Sequence, residues 1–505
     1  MLRYLPLALL FVACVATGPA APDASDPTSS TTTSTTEAVF GETTATSPAT
    51  TAAGTSSAST STTTTLPREF GPWGEVVGLT MFRGNPSRTY YGEGPVPVAP
   101  EVSWRFPDSA MCGESSVGGQ PKIWCGTGWT GQPVVWERPD GVTEVMFGAY
   151  DKNLHFLDAA TGRRTRPDFP MGDIIKGSIT LDPDGYPLLY AGSRDPRFRI
   201  LSLEGDEVRE LWTLDASSVA GMWNNDWDSN PVVVDDVLYV GGENSWFFAI
   251  KLNRSYNADG TVNIDPAVVF SMPAFTDALV AQVGRQQSIE SSVAVFNGVA
   301  YFTNSAGRIV GVDVSDVTAG NAEVIFDFWA GDDIDATLVI DAEGMLYASA
   351  EIDLATSRAA EVGQLIKLNP SRTDEPIMWS LAVPNRNGTG GGIWATPALY
   401  EGFLYVATNP GELLVVDSTT GEVTWRDEIG AAAWSSPVVV DNTLVLATDC
   451  EGGGALTAYD LSDPATPRRI WHVPHSSGCI ESTPAIWKGS IYVGSRDGYF
   501  YAYGN

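Results

Sequence analysis

The feature that most constrains this chain is a unit that recurs from about residue 140 to its end. Short apolar runs end in an aromatic and then small residues: Leu189-Tyr190-Ala191-Gly192-Ser193, Leu238-Tyr239-Val240-Gly241-Gly242, Ala300-Tyr301-Phe302-Thr303, Leu346-Tyr347-Ala348-Ser349, Leu404-Tyr405-Val406-Ala407 and Ile491-Tyr492-Val493-Gly494. Met146 and Val445 fill the same slot in two weaker copies. Each copy continues into a second short run, at 154–158, 199–203, 247–251, 309–313, 365–369, 413–417, 456–460 and 500–503. A third column follows, occupied by Arg166, Trp212, Phe270, Phe326, Trp379, Trp425 and Trp471. Before each unit a strand opens on small residues and often proline, as in Ser229-Asn230-Pro231 and Ser482-Thr483-Pro484. Four short strands per roughly 40 residues, separated by turn signals such as Asp184-Gly185, Asn297-Gly298 and Glu343-Gly344, are the pattern of propeller blades.

Counting copies predicts an all-β fold, an eight-bladed β-propeller of four-stranded antiparallel blades running from about 131 to 505. The last copy stops after three strands. Upstream, Val102-Ser103-Trp104-Arg105-Phe106 carries the missing column tryptophan. A closing strand at 101–107, paired with the C-terminal blade, shuts the ring and removes free sheet edges. On this reading a truncation ending at residue 90 leaves the ring intact.

The N-terminal region is of another kind. An apolar run at 5–13 follows Arg3, too short to span a bilayer but right for a signal segment. Leu10-Phe11-Val12-Ala13-Cys14 resembles a bacterial lipobox, which implies lipidation at Cys14; cleavage near Ala20 and Ala21 is the alternative. Residues 1–14 are thus the signal segment, and 15–67, dominated by Thr, Ser, Ala and Pro, form a spacer spanning roughly 40 Å as a random coil. Residues 68–505 hold the propeller. The expectation is an extracytoplasmic protein of the bacterial cell envelope, touching membrane only through its lipid, or else secreted.

Setting Cys14 aside leaves an even set, Cys112, Cys125, Cys450 and Cys479, which in an exported chain reads as two disulfides, 112–125 and 450–479. No CxxC occurs, and the histidines are His155, His472 and His475, so zinc and haem sites lack support. Formal net charge is −32, of which −29 falls after residue 67. Such a surface repels phosphate backbones and excludes nucleic acid as a partner.

The clearest repeat, 404–425 with Asp417-Ser418-Thr419-Thr420-Gly421 and Trp425, resembles the tryptophan-docking propellers called pyrroloquinoline-quinone-like repeats. Asp158-Ala159-Ala160-Thr161-Gly162 echoes it, with Arg166 in place of tryptophan. The resemblance covers about 100–505 and implies the fold. For function it implies two branches: quinone-dependent alcohol and sugar dehydrogenases, and non-catalytic lipoproteins such as the propeller of the outer-membrane barrel-assembly machinery. Against the first branch, the alcohol-oxidising members carry adjacent cysteines beside the cofactor and no two cysteines are adjacent here. The sugar-oxidising members use a histidine base, and His475, six residues before Glu481, comes nearest to that role. Pyrroloquinoline quinone is therefore not expected as a cofactor.

One constellation suggests a site. Inner strands of a propeller line its channel, and the residues entering them surround one mouth. Aligning the copies gives Thr130, Lys176, Asp228, Glu290, Asp335, Trp394, Trp434 and Glu481, each followed by Gly, Ala or Ser. Asp228, Glu290, Asp335 and Glu481 are oxygen ligands of the type that holds Ca²⁺. The same ring suits a cationic peptide or ligand, with Trp129, Trp223, Trp227, Trp394 and Trp434 as aromatic platforms. The plain alternative is that these carboxylates only bond strand starts and channel waters. The insert 351–364 and both cysteine pairs map to this face. The sequence reads as a monomeric binding or scaffolding module for a protein or a small cationic or polar ligand, with no catalytic residue assigned. The alternative is a quinone- and calcium-dependent dehydrogenase of alcohols or sugars.

Overall fold

The computed structural model describes residues 70–117, 120–129, 131–386, 388–448, 454–474 and 478–505. Cys14, Thr130, Cys450 and His475 lie outside them. The repeats fold into eight antiparallel sheets, numbered here blades 1 to 8: 134–170, 180–215, 232–273, 294–329, 339–381, 398–428, 438–474 and 485–504. Short β-branched inner strands such as Val438–Val440 are wholly buried, whereas outer strands such as Val423–Glu428 alternate half-buried and exposed residues. No helix among the described residues is long and apolar enough to cross a membrane.

The first and second strands are joined by tight turns on one face, the turn face. Asp235-Asp236, Asn297-Gly298, Glu401-Gly402, Asp441-Asn442 and Lys488-Gly489 all have two consecutive positive φ values, the conformation of a two-residue hairpin turn whose twist matches its strands. The loops that enter the inner strands and leave the second strands lie on the other face, the funnel face.

Ring closure follows the expectation. Glu101–Phe106 pairs antiparallel with Phe500–Gly504, placing Trp104 opposite Ala502. The Trp104 indole lies 6.2 Å from the Phe500 ring, and its Nε1 donates to Ala159 O of blade 1 at 2.9 Å. Trp379 of blade 5 repeats the bond to Ser418 O of blade 6 at 3.0 Å. Each indole covers a glycine, Gly162 or Gly421, whose φ is positive and where a Cβ would meet the ring at 2.7 Å. Arg166 performs the same docking without an indole. Its Nη1 donates to Leu203 O of blade 2 at 2.9 Å, and its charge is paired with fully buried Glu144. Cys112 and Cys125 are bonded across the hairpin Cys112–Val117/Gln120–Cys125. Cys479 is also disulfide-bonded, and its expected partner falls outside the described residues.

Residues 70–96 depart from the expectation that they are dispensable. They stop the channel from the turn face. Gly78–Leu79 pairs with the inner strand of blade 1, and Gly92–Glu93 runs parallel to that of blade 8. Between them, Arg83 and Arg88 are fully buried. Arg83 donates to Pro397 O at 2.8 Å and Pro437 O at 2.9 Å, in blades 6 and 7. Arg88 donates to Val293 O and to Asn230 Oδ1. Inner-strand starts have carbonyls that no sheet neighbour satisfies. Two guanidiniums with fixed donor forks tie those of several blades together.

Candidate functional site

Each expected site residue in the described part stands four positions before an inner strand, so the ring geometry delivers it to the funnel mouth. Lys176, Asp228, Glu290, Asp335, Trp394 and Trp434 converge. Lys176 Nζ is ion-paired with Asp228 and lies 3.4 Å from Glu243 and 3.5 Å from Glu290. Trp394 and Trp434 stack with centroids 4.3 Å apart, and Trp129 meets them edge-on at 5.3 and 5.7 Å. Trp129 has φ +45°, an uncommon conformation for a bulky residue, which carries its indole over the mouth to within 5.7 Å of Lys176 Nζ.

Glu481 does not join this group. Both its oxygens accept from Arg496 Nη1 at 2.9 Å, and Oε2 also accepts the Trp129 backbone N–H. Trp227 is no platform either. It is a core residue at 1% exposure, packed between Phe198 and Phe248 with Nε1 on Pro196 O, because the Gly192 turn leaves room for it. Trp223 is partly exposed.

The sequence reading missed a second ring, formed by the turns that leave the second strands. It comprises Tyr150, Arg194, Glu243, Ser305, Glu351, Asn409 and Arg496. Four of them partner the first ring, Glu243 with Lys176, Ser305 with Asp335 at 3.2 Å, Asn409 with Trp434 at 3.1 Å and Arg496 with Glu481, while Arg194 pairs with nearby Asp226 at 3.4 Å. Their constant place after Gly148, Gly192, Gly241, Ser349 and Gly494 was the signal that would have found them.

Charge is unevenly shared between the two halves of the mouth. Burial alone would lower the Lys176 pKa, but Asp228, Glu290 and Glu243 raise it well above the usual value. Burial pushes Glu243 up, yet Lys176 and hydrogen bonds from Asp228 and Asp226 bring it below the usual carboxylate range. Asp228 and Asp226 are themselves raised, first by burial. Lys176 thus favours the ionised form of Glu243, while burial favours the protonated forms of Asp226 and Asp228. Among the described residues the other half has one cation contact, Lys176 at 3.5 Å from Glu290. Burial and then the charge of Asp335 push Glu290 up to about 8, and burial lifts Asp335 itself to about 6 against the pull of Lys176. Asp333 and Glu351, both buried, are driven well above the carboxylate range by burial and then by Asp335. Asp333 Oδ1 and Glu351 Oε1 have no hydrogen-bond partner among the described residues.

Asp228, Glu243 and Glu290 offer carboxylate oxygens within 4.8 Å of one another, a set able to hold a divalent cation. A quinone fits less well. Beneath the three tryptophans, and floored by Phe82 of the channel stop, only about 20 Å³ is open to the centres of water-sized molecules. That is room for a water or an ion. A tricyclic quinone does not fit there.

Comparisons with known proteins agree with this architecture. The family described as outer membrane protein assembly factor BamB matches residues 363–504. A search of curated proteins gives no match. Among solved structures, BamB from Moraxella catarrhalis aligns with a TM-score of 0.51 at 13% identity, over 72% of this chain and 94% of its own. The quinohemoprotein alcohol dehydrogenase ADHIIG from Pseudomonas putida HK5 aligns with a TM-score of 0.57 at 12% identity, over 85% of this chain and 80% of its own. Quinohemoprotein alcohol dehydrogenase from Comamonas testosteroni gives 0.55 and 13% over the same shares. Loops carried on such a rigid ring suit binding or scaffolding. The chain is an eight-bladed β-propeller of pyrroloquinoline-quinone-like repeat architecture, with the fold shared by BamB and the quinohemoprotein alcohol dehydrogenases.

Proposed function

We propose that this propeller is a binding module of the bacterial envelope, tethered through Cys14 and the 15–67 spacer, that receives a cationic group of a partner at its funnel mouth. The observation carrying this reading is an acidic half compensated only by a shared Lys176. Glu290 and Asp335 line a space shared with Trp129, Trp394 and Trp434, buried Asp333 and Glu351 add to the charge around Asp335, and the one ammonium nearby, Lys176, is divided among Asp228, Glu243 and Glu290. Such carboxyls take up protons or an incoming cation. An ammonium, a guanidinium or Ca²⁺ would displace the protons, with the indoles adding cation–π attraction. The match to an outer membrane protein assembly factor supports the envelope location and a protein partner.

The test is a thermal melt at pH 8 with the peptide acetyl-Gly-Arg-Gly-amide or calcium chloride, each against sodium chloride at equal ionic strength. A cation specific for the native state stabilises by about 2.7 kcal/mol at a hundredfold excess over Kd. Glu290→Gln with Asp335→Asn should abolish the shift. The same shift with sodium chloride, or in the double variant, refutes the reading. A second reading, a quinone- and calcium-dependent dehydrogenase, is favoured by the wider coverage of the two alcohol dehydrogenases. The space beneath the tryptophans counts against it. Dye reduction with alcohols or sugars after adding quinone and Ca²⁺ would establish it.

A further inference from the structure

The turn face carries a cleft that neither the repeats nor the funnel explains. It lies between blades 3 and 4 beside the channel stop and has a volume of about 430 Å³, within the range of small-molecule sites. Its inner walls are Val237, Val295, Val314, Val317, Trp73 and Phe296, and its rim is polar. All six are buried in the protein.

Of the polar side chains that line it, Asp235, Lys251, Asn297, Ser315 and Thr318 stand toward solvent, and Tyr239 alone is buried, at 4% exposure. The structure provides its own comparison for this residue. In blade 2 the equivalent tyrosine, Tyr190, donates to Asp182, and in blade 5 Tyr347 donates to Asp341 at 2.8 Å. Registers place those aspartates two residues beyond the partner of the tyrosine, at Thr180 and Val339. In blade 3 the partner is Val232, so the aspartate position holds Val234. The neighbouring blade gives no substitute. Trp379 and Lys367 of blade 5 both donate to Ser418 O across the next interface, and blade 3 has Phe270 and Ala249 in their places. Among the described residues the Tyr239 hydroxyl therefore has no hydrogen-bond partner, although it is almost wholly buried and lines an open cleft. The hydroxyl opens onto the cleft, where a bound oxygen acceptor can take its hydrogen bond in place of water.

We propose that this cleft binds a small neutral molecule with an apolar ring or chain and one carbonyl or ether oxygen, which accepts from Tyr239. Neutrality follows from the setting. Burial, and then the charge of Asp235, raise the Tyr239 pKa, so the phenol stays a donor. Asp235 at the rim repels an anion. Lys251, also at the rim, is already paired with Asp236 at 3.0 Å.

Acetophenone is the probe, and α-methylstyrene, in which a methylene replaces the carbonyl oxygen, is its control. Binding is followed by ligand-observed NMR and titration calorimetry on the full chain. Acetophenone should bind more tightly than the hydrocarbon by about two- to tenfold, the worth of one hydrogen bond. Tyr239→Phe should erase that preference while leaving hydrocarbon binding in place. Val317→Trp, which fills the cleft, should abolish both. Val234→Asp, which restores the internal acceptor seen in blades 2 and 5, should also remove the preference. Absence of binding, equal binding of the two probes, or binding untouched by Tyr239→Phe and Val317→Trp overturns the proposal. Binding of N-acetyltryptophanamide but not of the ketone would reassign the cleft to a side chain of a protein partner and overturn it equally. None of these variants touches the funnel, so failure here leaves the cation reading standing.

Discussion

Replacing Lys176 with Met keeps the aliphatic stem and deletes the ammonium that Asp228, Glu243 and Glu290 share. Each contact near 3.5 Å is worth about 4–5 kcal/mol of gross attraction at an effective dielectric of about 20, and the net loss on breaking a buried pair is about 3–5 kcal/mol. Proton uptake sets a ceiling. Glu243, now held ionised by Lys176, would instead take a proton. At pH 7 that costs about 3.7 kcal/mol relative to an ordinary glutamic acid, falling to about 1 kcal/mol at pH 5. The destabilisation of Lys176→Met, from denaturant melts monitored by tryptophan fluorescence, should therefore shrink by about 1.4 kcal/mol per pH unit across this interval, the signature of one proton. A penalty equal at pH 5 and pH 7 would show that Lys176 serves packing and not charge, and the account of the mouth would fall with it.

Trp104→Ala should cost about 3–5 kcal/mol and promote aggregation, measured by calorimetry and light scattering, because it empties the closing blade and loosens the ring. Arg83→Met strands the carbonyls of Thr396, Pro397 and Pro437 at up to about 1–3 kcal/mol each, so a large fall in denaturation midpoint is expected, and a neutral result would deny the channel stop its structural role. His155, buried between Asp151 at 3.1 Å and Asp168 at 3.0 Å and packed against Phe106 of the closing strand, has a pKa that burial lowers but the two carboxylates raise above normal. Its stabilisation should be complete below the unfolded value of about 6.5 and fade as pH rises through the folded value; melts of His155→Gln against pH should lack that component.

The fold was legible because blades repeat, and repetition exposes even weak columns such as the one in which Arg166 replaces tryptophan. What the column could not reveal was the substitute chemistry. Only the placement of Glu144 and Leu203 O makes Arg166 a docking residue. The first ring of the funnel was legible for the same reason, since every member precedes an inner strand by the same count. Glu243 and Glu351 escaped because their turn positions carry Tyr, Arg, Ser and Asn in other blades, so no residue type marks the column. Trp227, expected as an aromatic platform, instead packs between Phe198 and Phe248, because alternation along an extended chain turns it to the side opposite its neighbour Asp228. Residues 70–96 stood outside every repeat, and a segment that pairs with inner-strand edges leaves no periodic trace.

The channel stop also decides how the two faces relate. A propeller channel open at both ends would let water solvate carboxylates from below, and Glu290 and Asp335 would titrate as ordinary acids. With Phe82 closing the floor and three indoles the roof, Glu290 and Asp335 are confined to a space about the size of a water, and desolvation becomes the first cause of both raised values. The raised pKa values of Glu290 and Asp335 thus depend on a segment that approaches from the opposite face. Loosening that segment, as in Arg83→Met, should lower the pKa of Glu290 and Asp335 toward normal and weaken any selective grip on a cation, even though none of its residues is acidic.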